Sequence, residues 1–400
     1  MLRLPTENTL DREEKIMAEW LKTSLVDIVE LIGGGTPKTS KAEYWGGNIN
    51  WLSVKDFNKE NRYVYSTEKT ITEEGLNNSS TKLLRKDDII ISARGTVGEL
   101  AMIPFPMAFN QSCYGIRAKD GINSTFLYYL IKHSVRKLKA MTHGSVFDTI
   151  TRDTFANIEV AIPDIETQQR VAKMLADIDD KVENNQRINN NLEQQAVAVF
   201  NKFYDTSTNQ QPFTTLINVL GGGTPKTGNP EFWDGSIPFF TPKDVGTPYT
   251  FKTEKYITES GLKHCNSRLY PQNTTFVTAR GTVGKISLAG SPMAMNQSCY
   301  ALASEIVDPL LVYFYVLKAV TSLKCKASGA VFDAIVTRDF DDEMINILSD
   351  TDSESALSII KPMMEAIHNN SKENMRLSAV RDALLPKLIS GEIDVSSLDI

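Results

Sequence analysis

The chain has 400 residues, 41% of them hydrophobic, which is enough for two or three packed domains. Its 43 basic and 49 acidic residues give a formal net charge of −6, which excludes a uniformly basic surface, so a polyanion would need local basic patches or partner subunits. No stretch approaches the roughly 18 consecutive apolar residues of a membrane span, and the cysteines show no zinc-like spacing. We expect a soluble cytoplasmic protein with free thiols, no cofactor and no metal.

The sequence consists of two copies of one module. EYWGGNINWLSVKD in the first half corresponds to EFWDGSIPFFTPKD in the second, and ISARGTVGELA corresponds to VTARGTVGKIS. NQSCYGI and NQSCYAL, then VFDTITRD and VFDAIVTRD, follow in the same order, with an offset of about 185 to 188 residues. A duplication of this length predicts two similar domains related by an approximate two-fold axis.

Each module begins with a glycine loop, GGGTPKTS at 33–40 and GGGTPKTG at 221–228. A nucleotide-binding P-loop requires G-x-x-x-x-G-K-[ST], but Asn229 and Pro230 replace the Lys and Ser/Thr, and Ser40 replaces the second glycine. The loop is therefore not a nucleotide site. Two interpretations remain open: a structural turn between strands, or a turn whose Thr and Lys side chains bind a phosphodiester.

The rest of each globular part reads as α+β. DDIIISARGTVG and TTFVTARGTVG predict strands that end in tight glycine turns. TFLYYLIKHSVRKLKAM and PLLVYFYVLKAVTSL each predict one helix, and the sheet should be antiparallel or mixed.

Each module ends in a long heptad helix. Apolar residues step by four and three over more than four heptads, and two Asn occupy matching seam positions in both copies. Asn in an apolar seam fixes register when it finds an Asn partner. We predict that the two helices, rods of roughly 45 Å, pack antiparallel and hold the modules apart. The predicted seam residues are Leu175, Ile178, Val182, Asn185, Asn189, Leu192, Ile360, Met363, Ile367, Asn370, Asn374 and Leu377.

These repeated motifs, in this order and each followed by a heptad helix, resemble the specificity subunit of type I restriction–modification systems. LLPKLISGEI near the C-terminus also resembles that family's usual tail. The resemblance implies an α+β fold with two tandem-repeated target recognition domains separated by two long conserved helices in an antiparallel coiled coil. On this basis the domains are 1–163 and 207–350, and the helical regions are 164–206 and 351–400.

The resemblance also implies the function. Each domain would read one half of a bipartite site in double-stranded DNA, and the coiled coil would set the spacing. Methyltransferase subunits, two of them, would dock around it and carry the restriction subunits, while this chain directs adenine methylation and cleavage without catalysing either. The sequence itself contains no adenine-methylation tetrapeptide, no HExxH and no clear nuclease core. The alternative is a non-catalytic scaffold with protein-binding heads.

Candidate DNA contacts come from the repeated motifs. Hydroxyl and ammonium groups of the glycine loop and of the K-D pair suit phosphates, and the arginine of RGTVG could bind O6 and N7 of guanine. That arginine could instead anchor its turn through an internal carboxylate, and the Asn-Gln pair could read adenine or cap a strand. Because the modules are alike, the half-sites could also be alike. The candidates are Thr36, Lys38, Thr39, Lys55, Arg94, Thr96, Asn110 and Gln111, with Thr224, Lys226, Thr227, Lys243, Arg280, Thr282, Asn296 and Gln297 in the second copy.

Overall fold

The computed structural model divides into two compact units. Unit 1 comprises Met1–Asn184 and Asn374–Ile400, and unit 2 comprises Asn185–Glu373. Each unit therefore contains one copy of the repeated module, together with a stretch of both long helices. We call the globular parts head 1 and head 2. The structure describes residues 20–58, 61–141, 149–246, 248–326 and 334–396, and only the backbone at 137–141.

Head 1 is built on two four-stranded sheets. Its strands are β1 (Leu21–Ser24), β2 (Val29–Gly33), β3 (Trp45–Leu52), β4 (Lys69–Ile71), β5 (Leu83–Leu84), β6 (Ile89–Ser92), β7 (Leu100–Met102), β8 (Met107–Phe109), β9 (Cys113–Ala118) and β10 (Glu159–Ile162). The sheet orders are β2-β9-β6-β7 and β4-β3-β8-β5, and β1 pairs with β10 in a two-stranded ribbon. The pairing of β3 with β8 is parallel and the others are antiparallel, as expected for a mixed sheet.

Head 2 has a similar arrangement, with sheets of five and three strands in place of four and four. Its strands are β11 (Gln210–Pro212), β12 (Asn218–Gly221), β13 (Trp233–Phe240), β14 (Tyr249–Thr250), β15 (Lys255–Ile257), β16 (Thr275–Thr278), β17 (Ile286–Ala289), β18 (Ala294–Met295), β19 (Cys299–Ala303) and β20 (Met344–Asn346). The sheets run β12-β19-β16-β17-β14 and β15-β13-β18, with a β11-β20 ribbon. The short strand β14 extends the first sheet by a parallel pairing with β17.

The strand before each RGTVG turn lies between two hydrophobic cores. All of β6 is buried, and its side chains alternate across the sheet, with Ile89 and Ile91 in one core and Ile90 in the other. A strand covered on both faces reads as a continuous apolar run. This explains the sequence III at this position. In head 2, Val277 and Phe276 divide between two cores in the same way.

The predicted helices are present. The helices are α1 (Glu73–Asn77), α2 (Ser124–Met141), α3 (Arg152–Ala156), α4 (Ile165–Thr206), α5 (Glu259–Lys263), α6 (Pro309–Lys326), α7 (Thr337–Asp341) and α8 (Asp350–Ile389). The helix predicted between the NQSC and VFD motifs is confirmed in both heads as α2 and α6. In the described part of the chain, no helix is both long and apolar enough to cross a membrane.

The two long helices, α4 and α8, run antiparallel within each unit. In unit 1, Asn374 donates to the carbonyl oxygen of Val182 at 3.2 Å, and Arg381 pairs with Asp179. Residue numbers therefore increase along α8 in the direction in which they decrease along α4. In unit 2, Asn370 of α8 donates to Asn189 of α4 at 2.8 Å. The antiparallel pairing is as predicted.

The four cysteines form no disulfide. Cys113 and Cys299 follow the NQS motif at the start of β9 and β19, and both are buried. Burial raises the pKa of each of these two thiols to about 12. They therefore stay protonated near neutral pH and act as small core residues.

Candidate nucleic-acid interface

The glycine loop is enclosed by backbone on both sides. A Cβ on Gly34 would overlap the carbonyl oxygen of Asn110, and one on Gly35 would overlap Ser80 and the backbone nitrogen of Thr81. In head 2, a Cβ on Gly223 would lie 2.6 Å from the backbone nitrogen of Asn266, and Gly222 faces the carbonyl of Asn296. The glycines are thus required for close packing. This supports a structural role for the glycines themselves.

The Thr and Lys side chains of the loop remain at the surface. Lys38 and Thr39 are exposed, while Thr36 is half-buried and donates from Oγ1 to Oε1 of Gln111. The indole nitrogen of Trp45 donates to the carbonyl oxygen of Lys38 at 3.3 Å, which holds the loop backbone and leaves the ammonium group in solvent. Head 2 repeats the exposures and contacts with Lys226, Thr227, Thr224, Gln297 and Trp233.

The Asn of the NQS motif has a structural partner. Oδ1 of Asn110 accepts the backbone N–H of Ser112 at 3.1 Å, and Asn296 does the same with Ser298 at 3.0 Å. This is the capping contact that the sequence left open as an alternative. Both Asn side chains are half-buried, whereas Gln111 and its counterpart Gln297 are exposed.

The RGTVG turn projects its arginine and threonine outward. Gly95 and Gly98 have φ of 78° and 79°, in the left-handed region that favours glycine, and Oγ of Ser92 donates to the carbonyl oxygen of Thr96. Arg94 and Thr96 are exposed, and the described residues include no carboxylate paired with Arg94. The same geometry recurs at Gly281, Gly284, Thr278, Arg280 and Thr282, and no described carboxylate pairs with Arg280 either.

In each K-D pair, the aspartate stabilises the turn and the lysine lies at the surface. Asp56 Oδ2 accepts from the backbone nitrogen and the hydroxyl of Ser53 at 2.7 and 2.8 Å, so it fixes the turn. Lys55 is exposed and lies 3.9 Å from Glu68, a distance and exposure at which an ion pair contributes little. In head 2, Asp244 binds Thr241 at 2.8 and 2.6 Å, and Lys243 lies 3.7 Å from Glu254.

Backbone hydrogen bonds join these motifs into one face, which we call the loop face. In head 1, Gly35 N donates to Phe109 O at 3.0 Å, and Asn110 N donates to Leu52 O at 2.9 Å, just before the K-D turn. Ala93 N then donates to Ser112 O at 2.8 Å. The glycine loop, the K-D turn and the RGTVG turn are therefore all held next to the Asn-Gln-Ser segment by bonds at or just before each motif. The corresponding bonds in head 2 are Gly223 to Met295, Asn296 to Phe240 and Ala279 to Ser298.

The loop face carries the chemistry of a nucleic-acid contact surface. Exposed ammonium, guanidinium, hydroxyl and amide groups are the donors that contact phosphates and guanine edges. Sequence reasoning did not include Trp45 and Trp233, although a Trp seven residues after the loop lysine is part of the repeat. The VFD motifs, at 146–148 and 331–333, lie outside the described residues.

The four predicted seam asparagines bond across from one long helix to the other, within one unit or the other. Asn189 is 7% exposed; besides its bond to Asn370 it donates to Ser371 Oγ at 3.3 Å. Asn185 donates to Glu373 at 2.7 Å. Met364, outside the predicted seam, is fully buried beside the half-buried Met363. The fully or nearly fully buried seam residues are Leu175, Val182, Asn185, Asn189, Ile360 and Ile367, and the half-buried ones are Ile178, Leu192, Met363, Asn370, Asn374 and Leu377.

Known proteins share this sequence pattern and fold. The sequence profile of the type I restriction modification DNA specificity domain matches residues 17–194 and 214–376. The type I restriction enzyme MjaIX specificity subunit of Methanocaldococcus jannaschii is 27% identical over 416 residues, covering 96% of both chains. The EcoR124I/EcoR124II specificity subunit of Escherichia coli is 31% identical over 169 residues, 40% of this chain and 41% of that one. The crystal structure of the type I restriction–modification S subunit from M. genitalium has the same fold, with a TM-score of 0.55 and 14% identity over 94% of this chain and 97% of that chain.

Proposed function

Because the chain belongs to the type I restriction–modification DNA specificity family, we propose that its two loop faces bind the two halves of a bipartite site in double-stranded DNA. The observation that carries this proposal is the repetition of the face. The same exposed basic and hydroxyl side chains stand on the same hydrogen-bonded loops in both heads. A single chain with two such faces can bind two short DNA segments together far more tightly than either face alone.

The residues of the loop face take different roles in this proposal. The side chains that contact phosphates are Lys38, Thr39 and Lys55, because they present exposed ammonium and hydroxyl groups. Contacts of this kind position the DNA backbone and do not read its sequence. Arg94 contacts a guanine edge from the tip of its turn, since no carboxylate in the described ranges holds it back. Gln111 accepts a hydrogen bond from the hydroxyl of Thr36 and so orients that side chain. The matching residues of head 2 are Lys226, Thr227, Lys243, Arg280, Gln297 and Thr224.

The chain acts by choosing the site, while partner subunits carry out the chemistry. We place the recognition domains at 1–163 and 207–350 and the conserved helical regions at 164–206 and 351–400. Two methyltransferase subunits dock around the helices, and restriction subunits bind those methyltransferases, in the cytoplasm. The net charge of −6 fits this arrangement, because partner subunits then supply much of the attraction to the DNA backbone.

Reciprocal arginine substitutions test the loop faces. In the complete complex, Arg94→Ala should weaken base discrimination in one half-site, and Arg280→Ala should weaken it in the other. We expect each substitution to lower the free energy of discrimination by about 1–3 kcal/mol. Mapping of methylated adenines identifies the bases in each case. Lys38→Ala should instead weaken binding to all sequences and reduce the slope of log binding constant against log salt concentration by about 1. Lys22→Ala, in the β1–β10 ribbon, serves as the control. If both arginine variants keep the parental site and affinity, the proposed faces are wrong.

A heptad insertion tests the spacing role. Adding seven residues to α4 between 184 and 185, with a matching heptad in α8 between 373 and 374, lengthens the pair by about 10 Å. This corresponds to roughly three base pairs of DNA. We expect a longer unread gap with unchanged half-site bases. A methylome that showed new half-site bases with the old gap would contradict the spacing role.

A further inference from the structure

The residues that the two loop faces share cannot distinguish two different half-sites. A short segment beside the glycine loop has exposed positions that differ between the heads on a similar backbone. We call it the rim segment; it comprises residues 77–80 in head 1 and 263–266 in head 2. It begins at the last residue of α1 in head 1 and at the last residue of α5 in head 2.

The rim segment is fixed against the glycine loop and the turn that follows it. A Cβ on Gly75, just before the segment, would overlap the carbonyl oxygen of Tyr44, and Gly35 abuts Ser80 at the other end. In head 2, Gly261 meets the carbonyl of Phe232, and Gly223 meets Asn266. Since the Asn-Gln-Ser segment lies against the preceding glycine of the loop, the glycine loop runs between that segment and the rim segment. The rim segment thus forms the border of the loop face in both heads.

The helix that leads into the rim segment is capped in the same way in both heads, and the backbone where it ends has the same conformation. The Thr72 side chain accepts the N–H of Gly75 at 3.1 Å at the start of α1, and Asn78 ends that helix with φ −101° and ψ 23°. In head 2, Thr258 accepts from Gly261 at 3.0 Å, and His264 has φ −103° and ψ 19°. The burial pattern is also the same from one head to the other.

The exposed side chains on this common backbone differ. Head 1 presents Asn77, Asn78 and Ser80, which are neutral and can both donate and accept hydrogen bonds. Head 2 presents a different exposed set, which contains a cation and an imidazole: Lys263, His264 and Asn266.

The imidazole of His264 is held in a defined orientation. Its ring stacks on Phe232 with centroids 5.0 Å apart and an interplanar angle of 17°. Nδ1 lies 2.8 Å from the carbonyl oxygen of Ser260, which can only accept, so Nδ1 carries the proton. In the imidazole that carries this single proton, Nε2 is then an acceptor. It suits the exocyclic amino group of cytosine or adenine.

We propose that the rim segment determines the bases at which the two half-sites differ; this rests on the proposed function of the loop faces. The shared residues of the loop face position the DNA backbone, and the rim side chains select bases at its border. In head 1, the Asn78 amide uses one N–H on the carbonyl oxygen of Glu74 at 2.9 Å and retains its oxygen and second N–H for a base edge. In head 2, Lys263 adds a donor that favours a guanine edge.

A reciprocal graft tests the proposal. The triple variant Asn77→Lys, Asn78→His, Ser80→Asn places the head 2 rim on head 1, and Lys263→Asn, His264→Asn, Asn266→Ser does the reverse. In the complete complex, each graft should change the bases methylated in its own half-site, by about 5- to 150-fold in relative preference. The other half-site and the gap should stay the same. Lys82→Arg, which exchanges one exposed basic residue for its counterpart Arg268, is the matched control and should leave the site unchanged.

A second measurement keeps the test decisive if a graft lowers methylation. Relative binding of the complex to oligonucleotides with each base of that half-site substituted gives a preference profile without any need for turnover. A parental profile in both grafts, while Arg94→Ala and Arg280→Ala still lose their half-sites, overturns the rim proposal alone. Parental profiles in the grafts and in both arginine variants overturn the loop faces as well.

Discussion

Units 1 and 2 attach similar heads to the long helices through different chemistry. In unit 1, Asp179 of α4 accepts from Arg381 of α8 at 2.6 Å and from the hydroxyl of Tyr129 of α2 at 2.7 Å. The residues at the corresponding positions of unit 2, about 185 residues away in sequence, are Met364 and Ala196, both fully buried. A buried ion pair in one unit is thus replaced in the other by two residues of an apolar core.

The neighbouring contacts also involve charged residues in unit 1 and uncharged ones in unit 2. Arg62, 7% exposed, donates to Asp180 at 2.6 Å in unit 1, and Pro248 takes its place in unit 2. There His368 lies between the rings of Tyr249 and Phe251, with centroid distances of 5.2 and 4.9 Å. The fold therefore forms in unit 2 without an ion pair at the position of Asp179 and Arg381. The ion pair costs desolvation, and its mutual attraction offsets that cost only while both partners are present.

The largest expected effect comes from breaking the ion pair. Burial opposes the charge of Arg381, but the adjacent Asp179 more than offsets this and raises the pKa of the guanidinium. Arg381→Ala leaves the 7%-exposed Asp179 without its cation and should lower the free energy of unfolding of unit 1 by about 3 kcal/mol. Urea unfolding followed by circular dichroism measures the loss.

The double variant Asp179→Met, Arg381→Ala sharpens the comparison by giving unit 1 the residues of unit 2. It should recover at least half of the stability lost in Arg381→Ala, because no buried charge is left unpaired. If the double variant is as unstable as the single one, the junctions of the two units are not interchangeable and our interpretation of the comparison is wrong.

The Asn layers between the helices provide a second, smaller test. Asn189→Ala in unit 2 removes the acceptor of the Asn370 amide at a buried position and should cost about 1–2 kcal/mol. Asn374→Ala in unit 1, at the matching but half-buried position, should cost less, since water can reach the groups left behind. Thermal unfolding of the two variants gives the order. A larger loss at Asn374 would contradict it.

The smallest effect concerns the start of α4. Asp164 Oδ1 accepts the N–H groups of Thr167 and of Glu166, each at 3.0 Å. These hydrogen bonds, of which the one from Thr167 has the larger effect, hold the pKa of the Asp164 carboxyl below its usual range. Asp164→Ala should cost about 1 kcal/mol at neutral pH. A lowered carboxyl pKa contributes stability above its ordinary value of about 4, and this is lost as the pH falls through the lower, folded-state pKa.

The difference in stability between wild type and Asp164→Ala should therefore shrink below about pH 4. Asp164→Ser, which keeps an uncharged cap like Ser349 before α8, is the control and should show little pH dependence from this site. A pH-independent difference for Asp164→Ala would exclude the charged cap.

The sequence alone predicts the elements of secondary structure that depend on a local residue pattern. The heptad spacing predicts α4 and α8, the apolar runs predict α2 and α6, and the substitution of Asn229 and Pro230 excludes a nucleotide loop. The repeat and its resemblance to a known family supplied the domain order. All of these depend on residues that are near one another in the chain.

Contacts between distant residues could not be predicted in the same way. Asp179 and Arg381 are 202 residues apart, and the ion pair forms only because α4 and α8 pack antiparallel. The position of the rim segment could not be predicted from the sequence either, because its closeness to the glycine loop depends on the contact between Gly35 and Ser80. The differing side chains at 77–80 and 263–266 were visible in the repeat, but nothing in the pattern indicated where they would lie.

The indoles of Trp45 and Trp233 turn the two loop faces into separate optical reporters. Each half-buried ring bonds to the carbonyl oxygen of the loop lysine, so a base or phosphate arriving there changes the surroundings of the fluorophore. Replacing Trp20, Trp51 and one of the two by Phe leaves a single emitter in one head. Stopped-flow quenching with such chains would time the arrival of each half-site and reveal which head engages first.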